Sequence, residues 1–165
     1  MKGAAFAVVF AGLAVIAGAL LAAAEFSTIY EVVVGELEIV RSKKSGADQH
    51  SYALLILAAA TVPLALGALR GARRPGGRIG ARAPAAALVV LGAVALAVAL
   101  LGDLPDAQDE GPLPESLNFE DARARPAGGL YFEIAAGALL ILSGAGLFVA
   151  HPSDSRRPER IPAST

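Results

Sequence analysis

The chain has 165 residues, of which 55% are hydrophobic, and its formal net charge is -1. Soluble domains are typically about 45–50% apolar, and the excess here lies in long blocks that indicate membrane-spanning helices. The near-neutral charge gives no general affinity for nucleic acid. The absence of cysteine excludes disulfides, thiolate metal sites and cysteine nucleophiles.

Four segments are long and apolar enough to cross a bilayer, for which a helix needs about 20 residues. The predicted spans are residues 3–24, 49–69, 84–101 and 131–150, followed by a disordered cytoplasmic tail at 151–165. Their apolar cores carry no charged side chain, and we expect Glu133 to stay hydrated at the outer boundary of the fourth span. The first span also resembles a cleavable signal peptide, because Lys2 precedes it and three alanines close it. Its length favours a retained span, and cleavage stays open.

Basic residues predict the orientation of these spans, because cytoplasmic segments of membrane proteins are rich in Lys and Arg. One side of the membrane receives nine basic and two acidic residues, and the other receives five basic and thirteen acidic ones. The first side holds both termini and the loop at residues 70–83, so we expect it to face the cytoplasm of a bacterial inner membrane. The loop arginines, which we expect to set topology and meet lipid headgroups, are Arg70, Arg73, Arg74, Arg78 and Arg82.

The start of the second span is polar. Its apolar part, residues 53–69, would rise only about 26 Å as a helix, which is shorter than the roughly 30 Å hydrocarbon core. We therefore predict that the helix begins at Gln49, with Asp48 as its N-cap. Neither Gln49 nor His50 is needed for this structural role, so both are candidates for contact with a ligand or partner.

The two outer segments, residues 25–48 and 102–130, have different compositions. The first contains β-branched residues and the alternating stretch Glu36–Ile39, which predicts a β-hairpin or a bent strand. The second contains four prolines and many acids, so we expect it to be mostly irregular, with a short helix beginning near Ser116. Glu36, Glu38 and Glu133 join Gln49 and His50 as candidate partner or ligand contacts.

No catalytic, cofactor or metal site is predicted. An EF-hand frame placed on Gly111 puts Leu117 where a bidentate acid is required, so it fails. The two histidines, His50 and His151, lie on opposite sides of the predicted membrane, and a zinc site would need carboxylates as its other ligands. The predicted role is therefore non-enzymatic.

Three stretches, EFSTIYEVVVG, GADQHSYALLILA and FEDARARPAGGLYFEIAAG, look like segments of uncharacterised actinobacterial four-span membrane proteins. The predicted topology also resembles that of claudins, although the claudin Trp and paired Cys are absent. These resemblances imply an all-α membrane protein, a bundle of four transmembrane helices with a small extracellular cap of β-hairpin and irregular segments. They imply no site.

The predicted function is that of an accessory or structural membrane subunit whose acidic external cap binds a partner. That partner would be another membrane protein or a second copy of the chain, in addition to the lipid bilayer. The alternative is a protein that handles a small molecule or lipid in a cavity between its helices.

Overall fold

The computed structural model describes residues 2–36, 38–73, 78–110 and 122–150. The secondary structure of these residues is mostly helical. In chain order the elements are α1 (Lys2–Phe26), β1 (Thr28–Val34), β2 (Ile39–Ser45), α2 (Gly46–His50), α3 (Ala53–Arg73), α4 (Arg78–Val98), a π-helix (Ala99–Asp103), α5 (Leu104–Asp106), β3 (Ala122–Pro126) and α6 (Gly128–Val149).

Four helical stretches are long and apolar enough to cross a membrane, which confirms the number of predicted spans. They are Ala5–Phe26, Ala53–Gly71, Gly80–Asp106 and Gly128–Val149. Helix α4 packs on α6, α6 on α1, α1 on α3, and α3 on α4. Each long helix therefore contacts two neighbours, in an arrangement compatible with a helical bundle.

Small residues bring these helices close together. A Cβ added at Gly92 of α4 would lie 2.6 Å from the carbonyl oxygen of Gly137 in α6. A Cβ at Gly144 would lie 2.6 Å from the carbonyl oxygen of Ala85. The buried core between the helices consists mainly of alanines and a few leucines. Because lipid is as apolar as leucine, such close backbone packing is what holds membrane helices together.

Several predicted boundaries are wrong. Ser51 and Tyr52 have φ angles of 51° and 69°, which break the helix, so the second span begins at Ala53 and not at Gln49. The third helix does not end at residue 101, because the chain continues through the π-helix and α5 to Asp106. Much of the predicted loop at 70–83 is helix, with only residues 74–77 between α3 and α4 left outside the described part.

A capping box, not an Asp48 N-cap, starts the short helix α2. Ser45 is the N-cap, and its Oγ accepts a hydrogen bond from the Asp48 amide. Asp48 in turn accepts hydrogen bonds from the Ser45 amide and hydroxyl, at 3.1 and 2.7 Å. The hydrogen bond from the Ser45 side chain lowers the pKa of Asp48. Such a reciprocal pair satisfies two amides at the helix start, and it places Gln49 and His50 in the last turn of α2.

The strands form one antiparallel sheet in the order β2-β1-β3. Strands β1 and β2 form the predicted hairpin, which turns through Gly35 at a φ of 70° and Glu38 at a φ of 50°. Strand β3 pairs with the other edge of β1, so the expectation that this part of the second outer segment is irregular is wrong. The helix predicted near Ser116 lies outside the described residues.

The sheet is joined directly to the helix ends. The Gly46 amide of α2 donates to the Ser27 carbonyl, and the Ala127 amide before α6 donates to the Ile29 carbonyl. Beneath the sheet, Ile29 and Val32 belong to a buried apolar cluster that includes Leu130 of α6 and Ala99 of the π-helix. The sheet therefore sits at the end of the molecule where α1 finishes and where α3 and α6 begin.

Candidate functional site: a buried histidine and carboxylate cluster

The residues singled out from the sequence separate into two groups. Glu36 and Glu38 lie in the hairpin turn and are exposed. Glu38 pairs with Arg123 and Arg125 of β3, so it links the hairpin turn to the third strand. Gln49, His50 and Glu133 lie instead beneath the sheet, at the adjoining ends of the helices.

Two of the arginines predicted to set topology lie at the other end of the molecule. Arg70 and Arg82 are exposed, and the guanidinium of Arg82 lies 5.4 Å from the centre of the Phe148 ring. Arg74 and the side chains of Arg73 and Arg78 are outside the described part of the structure. Arg70 and Arg82 therefore lie at the opposite end of the long helices from the sheet.

The centre of the candidate site is formed by His50, Asp103 and Glu133. His50 Nε2 lies 2.9 Å from Asp103 Oδ2 and 4.0 Å from Glu133 Oε2. One nitrogen or oxygen atom from each residue fits within a group whose members are all within 4.8 Å of one another. The side chains of Asp103 and Glu133 are 1% and 0% exposed, and that of His50 is 11% exposed. These three residues are distant in sequence but form one buried cluster.

Each of the three side chains comes from a different helical element. His50 ends α2, where the left-handed Ser51 stops the helix. Asp103 is the last residue of the π-helix, whose wider turn alters the direction of the side chains that follow it. Single π-turns within helices occur frequently at functional sites. Glu133 lies in the second turn of α6, one turn beyond Gly129, which packs against the Thr28 carbonyl at the start of β1.

A fourth buried carboxylate, that of Glu25, lies at the end of α1. Its Oε2 accepts a hydrogen bond from the Leu54 amide at 3.1 Å, so it caps the start of α3. Its negative charge suits the positive end of that helix. Its charge also acts on His50, so Glu25 lies within electrostatic range of the cluster.

Gln49 strengthens the connection between α2 and the end of α4. Its Nε2 donates to Asp106 Oδ2 at 2.8 Å, next to the contact between His50 and Asp103. Gln49 and His50, which are consecutive in α2, thus contact Asp106 and Asp103, respectively.

The expectation that Glu133 stays hydrated is wrong. Glu133 is not hydrated at a boundary but is fully buried, and Asp103 is buried as well. Glu25, Asp103 and Glu133 also fall within helical stretches that could cross a membrane. The reason is that the helices extend past the apolar cores, and the sheet covers their ends.

Sequence reasoning missed Glu25 and Asp103 because it counted them as loop acids. Their positions carried a usable signal. One ionisable residue stands beside the outer end of each predicted apolar core: Glu25, His50, Asp103 and Glu133. In a bundle of antiparallel helices these ends meet, so such residues converge.

Several buried carboxylate oxygens in and around the cluster lack a hydrogen-bond donor among the described residues. Glu25 Oε1, Asp103 Oδ1 and both carboxylate oxygens of Glu133 have no hydrogen-bond partner among the described residues. The hydrogen bond that His50 donates to the Asp103 carboxylate raises the pKa of His50, against the opposing effect of burial. Buried carboxylates without partners cost several kcal/mol each, so the arrangement favours a cation.

The donor set matches a divalent metal ion of the first transition row or zinc. Imidazole nitrogen and carboxylate oxygen are ordinary ligands of Zn²⁺, Mn²⁺ and Fe²⁺, at about 2.0–2.2 Å for zinc. Ligand atoms on a tetrahedral ion at these distances are about 3.4 Å apart. Metal binding therefore requires Glu133 Oε2 to approach His50 Nε2 from 4.0 Å, and requires His50 and Asp103 to separate from 2.9 Å and give up their hydrogen bond. The structure therefore supplies the carboxylates that His50 needs to form a metal site.

Comparison of the chain with known protein families, with curated proteins and with solved structures gave no match. The resemblance to actinobacterial four-span proteins stays a prediction. The geometry of the cluster is the basis for inferring a function.

Proposed function

We propose that this protein is a non-enzymatic, multi-pass membrane protein that binds one divalent transition-metal ion at the outer ends of its helices. His50, Asp103 and Glu133 provide the ligands. The observation that carries the proposal is the fully buried carboxylate of Glu133, which has two unpartnered oxygens and lies 4.0 Å from the imidazole nitrogen of His50.

Charge balance favours a divalent ion. Three buried carboxylates, those of Glu25, Asp103 and Glu133, carry three negative charges when ionised, and a ligating His50 is neutral. A divalent ion reduces this to a single negative charge, and the start of α3 offsets part of it, since a helix N-terminus acts as about half a positive charge. A monovalent ion leaves twice as much negative charge buried.

The membrane and its sidedness are part of the proposal. Four apolar helices support a multi-pass protein, and the exposed Arg70 and Arg82 support a cytoplasmic location for the end opposite the sheet. We place the protein in a bacterial cytoplasmic membrane with both termini inside. The metal site then faces the outside, where the ion enters from the extracytoplasmic solution.

Metal content of the purified protein tests this proposal. The protein is stripped with a chelator in mild detergent, dialysed against Zn²⁺ or Mn²⁺, and measured by elemental mass spectrometry. We expect one ion per chain in the wild type and less than a tenth of that occupancy in His50→Ala, Asp103→Asn and Glu133→Gln. Glu31→Gln is the matched control, because Glu31 is an acid on the sheet that pairs with Lys43 at 2.9 Å. Equal metal content in all variants would contradict the proposal.

Partner binding through the sheet is a second proposed function, because β2 is an edge strand that exposes Ile39 and Val40. An exposed edge is a template for pairing with another chain. Crosslinking in native membranes, followed by purification, tests it: a stable neighbour crosslinked through β2 supports it, and a lone monomer contradicts it. The close approach of α4 and α6 does not favour the alternative of an inter-helix cavity for a small molecule or lipid.

A further inference from the structure

Among the described residues, Glu25 is the one buried carboxylate of the site that the proposed ligand set does not use. We infer that its Oε1 accepts a hydrogen bond from a water molecule that completes the coordination of the metal. This inference rests on the proposed metal-binding function and assigns Glu25 as a positioning residue.

The carboxylate of Glu25 is held firmly in place. Its Oε2 accepts from the Leu54 amide at 3.1 Å, and its side chain is fully buried. The start of α2 packs directly against its backbone, since a Cβ added at Gly46 would lie 2.6 Å from the Glu25 Cα. Because Oε2 caps α3, Oε1 is the oxygen of Glu25 that is left for the site. Among the described residues, the close metal-ligating group comprises His50, Asp103 and Glu133.

The second carboxylate oxygen of Glu25 lacks a hydrogen-bond donor among the described residues. Oε1 is buried and has no donor among the described residues. Leaving a buried acceptor unsatisfied costs about 1–3 kcal/mol, and more when the acceptor is charged. A hydrogen-bond donor at this position would remove that cost.

The proposed metal needs a further ligand. Three protein ligands leave an open coordination position, which water fills in sites of this kind. Metal-bound water is a strong donor, because the ion draws electron density from its oxygen. One water molecule therefore satisfies both the ion and Glu25 Oε1. Partners of this kind orient the ligands of a metal, and replacing one typically weakens metal binding about 10–100-fold.

The variant Glu25→Gln separates this role from a structural one. The Gln side chain keeps an oxygen for the Leu54 amide, so α3 stays capped and the thermal unfolding of the metal-free protein does not fall. It removes the charge that attracts the bound water. We expect Mn²⁺ to bind one ion per chain but about 10–100-fold more weakly. Glu31→Gln serves as the control and keeps the wild-type affinity, whereas Glu25→Asp restores part of the lost affinity.

Electron–nuclear double resonance on the Mn²⁺-loaded protein in D₂O gives the direct readout. We expect exchangeable deuterons of one bound water in the wild type, with altered couplings in Glu25→Gln. Two results would overturn the inference and leave the proposed function standing: wild-type Mn²⁺ without exchangeable deuterons, or a Glu25→Gln protein with wild-type affinity and couplings. Failure of the wild type to bind Mn²⁺ or Zn²⁺ at all would instead overturn the proposed function.

Discussion

Glu133 combines complete burial with two unpartnered oxygens, in a helix that is long and apolar enough to cross a membrane. Ionisable residues within membrane spans are costly and are usually retained for function. Neither carboxylate oxygen of Glu133 lies within ordinary hydrogen-bond geometry of a donor among the described residues, and the His50 imidazole nitrogen is 4.0 Å away. A role in holding a cation explains why an apolar residue does not occupy this position.

Replacing Glu133 should therefore abolish metal binding without lowering the stability of the metal-free protein. In Glu133→Gln, an amide of the same shape replaces a buried carboxyl group whose oxygens have no hydrogen-bond donor among the described residues, so we expect the free energy of unfolding not to fall. Zinc at 100 times its dissociation constant stabilises the wild type by about 2.7 kcal/mol, and we expect this gain to be absent from the variant. Thermal unfolding in detergent, with and without Zn²⁺, measures both effects. A variant that is less stable than the wild type without metal and still gains from zinc would contradict this assignment.

At the residue scale, the sequence predicted only part of the site. Gln49 and His50 were predicted as contact residues because neither a helix cap nor a membrane anchor requires them. Glu25 and Asp103 were not predicted, because an acid next to a span is ordinarily a hydrated loop residue. Their burial depends on the sheet above the helix ends, and no local pattern in the sequence reports that contact.

Among the elements, α2 has the greatest influence on the site, because it holds both His50 and Gln49. A helix of five residues has little stability of its own, so its capping box matters. Replacing Ser45 with Ala removes the N-cap and costs about 1 kcal/mol. If metal binding requires a formed α2, affinity for Zn²⁺ falls about 5-fold.

A competition titration with a zinc-binding dye measures this change in Ser45→Ala. Ser42→Ala is the control, since Ser42 lies on the neighbouring strand β2 outside the capping box. Unchanged affinity in Ser45→Ala, or an equal loss in both variants, would show that the capping box does not position His50.

The site also depends on the contact between α4 and α6. Helix α4 continues through the π-helix to Asp103, and α6 contains Glu133. In Gly92→Ala the new methyl group meets the Gly137 carbonyl at 2.6 Å and the Ile141 amide at 2.8 Å. Because backbone atoms cannot move aside easily, we expect a loss of about 1–3 kcal/mol in stability. Gly12→Ala in α1 is the control, because a Cβ there meets nothing within 4 Å. Equal thermal unfolding of both variants and the wild type would contradict this packing.

At the element scale, hydrophobic length identified the four long helices and β-branched residues identified the hairpin. The break before the second span and the extension of the third span to Asp106 were not predictable from hydrophobic length. Ser51 and Tyr52 adopt left-handed backbone angles that ordinary residues seldom take, and the π-helix follows an unremarkable apolar run. Strand β3 forms because β1 offers it an edge from a distant part of the chain, and its own sequence, ARARP, contains no strand pattern.

For the whole molecule, the distribution of charge predicts that the sheet lies outside the membrane and that Arg70 and Arg82, at the opposite end of the helices, lie inside. Since the chain has no cysteine, single cysteines report sidedness without background. In intact cells a membrane-impermeant maleimide should label Glu36→Cys, in the hairpin turn, and should not label Arg70→Cys until the membrane is opened. The reverse pattern would contradict the orientation and with it the outward-facing metal site.

The site also explains how the sheet and the helices act as one unit. His50 and Glu133 lie within seven residues of the ends of β2 and β3, so the proposed metal would join the bases of these two strands. A protein presenting its sheet to a partner thereby gains a rigid base. The sequence predicted a cap and a bundle as separate parts, whereas the cluster that connects them required the fold.

The most direct test of the metal site is X-ray absorption spectroscopy of the zinc-loaded protein at the zinc edge. We predict nitrogen and oxygen neighbours at about 2.0–2.2 Å, together with the multiple-scattering pattern of a single imidazole. That pattern should disappear in any residual zinc bound by His50→Ala. A spectrum without imidazole scattering, or one that His50→Ala leaves unchanged, would contradict a site built from His50, Asp103 and Glu133.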